Sequence, residues 1–215
     1  MEAFAPSAVD FWDARYAEEA YAYGTEPNTY FRQQLDALPP GRLLLLAEGE
    51  GRNAVYAAKR GWEVTAVDFS DEGRSKALRL AVSQRVRLQY LVADLTALAW
   101  QQPGYYDAVG LIYAHFSPVD RQAVHAAAAA SLAPGGHLLL EAFSPRQLGL
   151  PSGGPKSADL LYEPTTLATD FTGLTLLENH ELGVVLHEGS FHAGLANVVR
   201  LLATRPSTPE STNSL

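Results

Sequence analysis

Apolar positions along the chain switch period in a regular way. Leu43-Leu44-Leu45-Leu46 is an unbroken apolar run, the pattern of a strand covered on both faces. Ala54, Val55 and Ala58 then recur at helical spacing between Asn53 and Lys59, closed by Gly61. Glu63 to Val67 returns to a strand that ends on Asp68. Ser70-Asp71-Glu72-Gly73 caps a helix running to about Ser83, and Val86 to Val92 alternates as a third strand that ends on Asp94. Tyr106 to Tyr113 forms a fourth strand and Pro118 to Leu132 an alanine-rich helix capped by Ser117. Pro134-Gly135-Gly136 turns into strand His137 to Phe143. Thr165 to Phe171 reads as a short helix. Leu174 to Leu182 and Ala196 to Thr204 read as two strands joined by a looser loop, suited to an antiparallel sheet edge. Strands alternating with helices predict an α/β fold, a doubly wound and mostly parallel sheet of seven strands whose ligands bind beyond the carboxyl ends.

Before the first strand lies an aromatic, helical stretch, residues 8–38, with Phe11, Trp12, Tyr16, Tyr21, Tyr23, Tyr30 and Phe31. It is expected to pack on the sheet or to act as a lid. Residues 1–204 read as one domain, and 205–215, rich in Ser, Thr and Pro, as a disordered tail. A formal charge of -8 without any Lys/Arg block argues against a nucleic-acid partner and for a small molecule. The absence of cysteine excludes thiolate nucleophiles and sulfur-ligated zinc, and no metal site is expected. With neither an apolar run of membrane-spanning length nor a secretory start, a cytoplasmic protein without a membrane partner is expected, as a monomer or a homodimer.

The chemistry concentrates where the first strand runs into Ala47-Glu48-Gly49-Glu50-Gly51-Arg52-Asn53. Gly49 and Gly51 lack the β-carbon that would keep a ligand off the backbone, and the helix that starts near Asn53 points its N–H groups at the same place. Asp68, at the tip of the second strand, is placed to accept hydrogen bonds from both hydroxyls of a ribose. Asp94, ending the third strand, could take an exocyclic amine while Leu95 covers a base face. Ala54 stands where a dinucleotide fingerprint would carry its third glycine, so another nucleoside cofactor has equal standing.

Ala47 to Ala54, Asp68-Phe69-Ser70, Asp94-Leu95 and Leu132-Ala133-Pro134-Gly135-Gly136 resemble, in order, the motifs of class I S-adenosylmethionine-dependent methyltransferases. Phe11-Trp12-Asp13-Ala14-Arg15-Tyr16 and Tyr23-Gly24-Thr25-Glu26-Pro27-Asn28 look like the tellurite-resistance and thiopurine methyltransferase-like branch. The resemblance implies a Rossmann-like methyltransferase fold with S-adenosylmethionine as cofactor. It implies that Gly49 and Gly51 approach the methionine part, Asp68 holds the ribose, Phe69 flanks the adenine, and Asp94 with Leu95 contacts the adenine edge. Families of this type place an acid and a glycine where this chain has Leu45 and Ala47; the acid stands instead at Glu48, where it could meet the cofactor's ammonium.

Methyl transfer is an in-line displacement, so alignment and exclusion of water are the protein's main tasks. For a thiol or a chalcogen oxyanion such as tellurite as acceptor, the reacting thiolate or oxyanion needs no base, whereas a neutral hydroxyl or amine gains from an imidazole or phenol. Candidates are Tyr113, His115, His187 and His192. His187-Glu188-Gly189 and His192 fail the helical H-E-x-x-H zinc spacing and suit either a loop at the substrate mouth or a plain surface turn. Arg15 could pair with the cofactor carboxylate or an anionic substrate. The competing readings are a nicotinamide-dependent oxidoreductase and a cofactor-binding module without catalysis.

Overall fold

The computed structural model describes residues 8–207. Helices α1 (Ala8–Tyr16) and α2 (Thr29–Asp36) precede β1 (Arg42–Leu46), α3 (Arg52–Lys59), β2 (Glu63–Asp68), α4 (Asp71–Ser83) and β3 (Gln89–Val92). β4 (Tyr106–Ile112), α5 (Pro118–Ser131), β5 (Leu132–Phe143), α6 (Pro164–Asp170), β6 (Thr175–Glu188) and β7 (His192–Thr204) follow. The seven strands form one sheet in the order β3-β2-β1-β4-β5-β7-β6. The first five are mutually parallel; β7 runs antiparallel to β5, and β6 antiparallel to β7. Chain order reverses between β1 and β4, and the cleft beyond their carboxyl ends is where such sheets bind ligands.

From Leu43 to Leu46 β1 is apolar, and both of its faces are covered. Leu44 and Leu46 pack with Val109, Leu111, Leu138 and Leu140 on the α5 face, while Leu43 and Leu45 pack with Phe31, Leu35, Ala54 and Leu139 on the other. α2 is fastened by its cap, Asn28, whose Oδ1 accepts the Phe31 N–H at 2.8 Å, and α4 by Ser70, whose Oγ accepts the Gly73 N–H at 3.0 Å. Among the described residues no helix is long and apolar enough to cross a membrane.

Four sequence expectations are corrected. β3 begins at Gln89 rather than Val86. Pro134-Gly135-Gly136 does not precede β5 but lies inside it, where the register jumps from Tyr106↔Leu132 to Ala108↔His137 and the extra residues bulge at Gly135, φ 78°. The looser loop between the last strands is paired strand: Gly183 to Glu188 sit opposite Asn197 to His192, and only residues 189–191 turn the hairpin. The tail does not begin at Arg205, whose backbone exchanges hydrogen bonds of 2.8 and 2.9 Å with Gly136 and Gly135. The remainder of that expectation, residues 208–215, lies outside the described residues.

Candidate functional site

β1 ends in a turn where Ala47, Gly49 and Gly51 all have positive φ, at 55°, 58° and 84°. At Ala47 this is strain carried by a side-chain-bearing residue beside the cleft. α4 presses on the turn, for a Cβ on Gly51 would lie 2.9 Å from the Ala77 Cα and closer still to its Cβ. Gly51 opens α3 without a side-chain cap, and Glu48 supplies one. Its Oε1 accepts the Ala54 N–H at 2.7 Å, and Asn53 Nδ2 donates to Oε2 at 3.5 Å. Glu48, expected to meet a cofactor ammonium, thus spends part of its acceptor capacity on the positive end of α3. Asn53 is likewise engaged, its Oδ1 accepting the Asn28 N–H at 2.9 Å.

Burial pushes Glu48 from 4.5 up to about 7, against the hydrogen bond from Ala54. A carboxyl whose folded-state pKa is raised stabilises less as pH rises, because ionisation must be forced on it in the fold but not in the unfolded chain. Glu48→Gln keeps an oxygen for Ala54 and has no charge to bury. Its stability relative to the parent, from urea melts, is expected to improve by on the order of 3 kcal/mol between pH 5 and pH 8. A constant difference across that range would contradict this account.

At the end of β2, Asp68 is buried. Its Oδ2 accepts the Gly49 N–H and its Oδ1 the Ser70 N–H, both at 2.9 Å, and burial pushes it up to about 6. A carboxylate offers about four acceptor positions, so with the Phe69 backbone also donating to Asp68 capacity remains for a further hydroxyl donor. Phe69 beside it is half-buried. Asp94 also stands at the carboxyl edge but spends Oδ1 on Thr96, accepting from its N–H at 2.8 Å and its hydroxyl at 2.7 Å. Leu95 departs from the expected cover for a base: it is buried in the core with Leu46, Val67 and Trp100.

The N-terminal segment is strapped over this turn by interactions that the sequence did not advertise. Tyr16 lies against Gly49 and Gly73, Asp13 accepts the Ser70 hydroxyl, and the Tyr90 hydroxyl donates to the Gly49 carbonyl at 2.6 Å. Below them Lys76 Nζ is buried, 2.6 Å from Glu50 Oε1, and donates to the carbonyls of Glu18 and Ala20 at 2.7 and 2.6 Å. Glu50 Oε2 accepts the Ala22 N–H at 2.8 Å. The helical spacing of Gly73, Lys76, Ala77 and Leu80, a buried stripe, was the available signal for Lys76. Arg15 stacks over the Phe191 ring at 3.8 Å and donates to the Tyr23 hydroxyl at 3.3 Å, joining α1 to the tip of the β6–β7 hairpin.

Between strap, β5 and hairpin lies a second buried polar cluster, centred on Asn28. Its Nδ2 donates to Glu141 Oε1 at 2.7 Å and to Glu188 Oε1 at 2.9 Å. Glu141 also accepts from the Tyr113 hydroxyl at 3.0 Å and from Arg200 Nε at 2.6 Å; Glu188 accepts from Arg52 at 2.7 Å. Asn28, Arg52, Glu141 and Arg200 were not singled out from sequence, because the hydrogen bonds that define them join residues far apart in the chain. Beside them is a cavity of about 520 Å³ bordered by Tyr23, Asn28, Arg32, His187, Glu188 and Arg200 among others.

The four candidates for proton transfer divide. Tyr113, strained at φ 55°, stacks on Phe143, and burial with the charges of Glu141 and Glu188 pushes its phenol well up. His115 has both ring nitrogens engaged by backbone groups. Nδ1 meets the Leu160 carbonyl at 2.6 Å and so carries the hydrogen, while Nε2 accepts the Phe143 N–H at 3.3 Å, and burial lowers it to about 4. His187 is exposed at the cavity rim. His192 is buried, its ring 4.4 Å from that of Tyr23 and 4.5 Å from that of Tyr113.

Residues 43–136 match the family described as Methyltransferase domain. The sheet order, the reversal at β1 and β4 and the acid-ended strands agree with that match. This is a Rossmann-like methyltransferase fold. The ubiquinone biosynthesis O-methyltransferase of Xanthomonas campestris pv. campestris (strain B100) is 31% identical over 141 residues, 65% of this chain and 59% of that one. The methyltransferase-fold chain thus spans less than two thirds of that curated relative's length. Among solved structures, TehB from Haemophilus influenzae superposes with a TM-score of 0.69 at 16% identity, covering 92% of this chain and 66% of TehB. The N-methyltransferase NodS from Bradyrhizobium japonicum WM9, in complex with S-adenosyl-L-homocysteine, superposes with a TM-score of 0.67 at 13% identity, covering 93% and 98%. A protein studied for the conversion of a disulfide bond into a thioacetal group during echinomycin biosynthesis reaches 0.73 at 19% identity, covering 96% and 95%.

Proposed function

We propose that this chain is an S-adenosylmethionine-dependent methyltransferase acting on a small molecule. The observation that carries the reading is the pairing of Asp68 with Gly49: a buried carboxylate with acceptor capacity to spare, hydrogen-bonded to the glycine backbone at the reversal point of the sheet. The donor set suits a nucleoside, with Asp68 for ribose hydroxyls, Phe69 beside an adenine, Asp94 at its edge, and Gly49 and Gly51 where backbone must come close. The cofactor supplies a methyl group on a sulfonium. The chain's residues hold it, orient the acceptor and exclude water, the last through the strap of Tyr16, Asp13 and Arg15. The methyltransferase match over residues 43–136 supports this reading against the nicotinamide oxidoreductase and the non-catalytic module. For the acceptor, the relative named an O-methyltransferase supports oxygen; neither tellurite nor a thiol has comparable support.

Calorimetry with S-adenosylhomocysteine tests the site. Asp68 accepts hydroxyl hydrogen bonds best when ionised, so affinity is expected to fall as pH drops through about 6, the value to which burial raises it. Asp68→Asn is expected to weaken binding by roughly 10–100-fold and to abolish that pH dependence. Parent protein that binds nothing at millimolar ligand would remove the proposal.

A further inference from the structure

β6 ends the sheet and is a long edge: 14 residues, with neither lysine nor proline to discourage another strand from pairing with it. Among the described residues its backbone makes hydrogen bonds to β7 and to no other element. Its irregularity, between Leu176 and Glu178, lies far from the hairpin tip. Leu182, Val184 and Leu186 pack with Phe143 and Val198, so the alternate residues Glu181, Gly183, Val185 and His187 stand on the opposite face. There Val185 is 57% exposed and Leu195, its partner across the hairpin, 71%, which leaves a bare apolar step at the edge of the sheet. Gly183 is the second oddity. Its φ is not positive and a Cβ there would find no atom nearer than 3.9 Å, so nothing within the subunit requires glycine in mid-strand, where it weakens pairing. A strand glycine of this kind marks the close approach of another backbone or a ligand.

We propose that β6 pairs antiparallel with β6 of a second copy of this chain, about a two-fold axis at Val184, joining the two sheets into one. Directly opposed residues in such a pair lie on the same face, so their numbers sum to an even value, and the side chains decide among the registers that remain. With the axis at Val184, Glu181 faces the partner's His187, Gly183 the partner's Val185 and Leu182 the partner's Leu186, and symmetry repeats each contact. The exposed imidazole of His187 has an N–H to give, and Glu181 has the Arg146 Nη1 at 3.7 Å but acceptor capacity left. The open space over Gly183 takes the valine that is bare in a single copy. Axes one residue away are poorer. At Gly183, Glu181 opposes Val185 and Glu178 opposes Glu188; at Val185, Glu181 opposes Gly189 and Leu182 opposes Glu188. Val184 to Gly189 also border the cavity of about 520 Å³, so the pairing sets the cavities of the two copies side by side. None of this depends on the methyltransferase reading.

Sedimentation velocity of the full chain is expected to show a monomer–dimer equilibrium between micromolar and submillimolar concentration. Gly183→Val should weaken dimerisation by roughly tenfold or more, because valines then collide across the seam. Urea melts at concentrations where the parent is monomeric should show no loss of stability, since a β-branched residue suits an open strand position. Adding Val185→Gly exchanges the two positions and should restore dimerisation. The chain has no cysteine, so Val184→Cys puts a single thiol on each side of the axis and should give a disulfide-linked dimer on mild oxidation. Leu177→Cys, at an exposed position outside the paired stretch, should not. A chain that stays monomeric at submillimolar concentration overturns the proposal. So does a dimer indifferent to Gly183→Val, a double variant no better than Gly183→Val alone, or cross-linking as ready at Leu177 as at Val184. If Gly183→Val fails to fold, the two cysteine variants decide by themselves.

Discussion

Gly51→Ala is expected to destabilise the fold by roughly 2–6 kcal/mol, from a side chain forced into left-handed backbone and from overpacking. The backbone there has φ 84°, and the new methyl would lie 2.9 Å from the Ala77 Cα, too close to a helix that has nowhere to go. Domains of this size are stable by only about 5–15 kcal/mol, so much of the protein would unfold near its working temperature. Ala77→Gly in the same chain removes the methyl–methyl collision but leaves the backbone strain and the crowding against the α4 backbone, so it should rescue only part of the loss. Urea melts of the three proteins measure this, and a Gly51→Ala protein within about 0.5 kcal/mol of the parent would show that the turn is not pressed on α4 as described. Gly49 is more forgiving: the nearest atoms to a Cβ there belong to the Tyr16 side chain, which can move.

Lys76→Met is expected to cost about 3–5 kcal/mol, the range for stripping a buried charge of its partner. Lys76 and Glu50 side chains are only 1% and 3% exposed, so water cannot replace the lost interaction. Two carbonyls of the strap, Glu18 and Ala20, lose their donor at the same time. The damage should reach the glycine turn after β1, because Glu50 belongs to that turn and also receives the Ala22 N–H. Adding Glu50→Gln removes the stranded charge while keeping an acceptor for Ala22, so the double variant should regain part of the loss, in a double-mutant cycle with a coupling above about 1 kcal/mol. Simple additivity of the two substitutions would contradict the pairing.

How far the sequence could be read depended on whether a residue's role is local. The buried Leu43 to Leu46 run of β1, the caps Ser70 and Ser117, and Asp68 at the end of β2 are set by neighbours within a few positions, and they were legible. The hairpin was misread at Gly183 to Glu188 because β6 is an edge strand, where alternation is only half enforced by burial and pairing with β7 does the rest. Glu48 was legible as unusual but not as a helix cap, since that depends on Gly51 leaving α3 uncapped. Leu95 matched a motif position yet packs in the core.

Sequence alone therefore determined the order of strands and helices and the glycine turn with its carboxylate at Asp68. Those properties follow from backbone preference and burial period, which neighbouring residues impose on each other. Only the tertiary structure decided which charges are spent on holding the protein together and which remain for chemistry. Lys76 with Glu50, and Asn28 with Glu141 and Glu188, meet because the sheet and the strap bring distant segments together. In a buried site the energy of a charge is set by the partners it finds there.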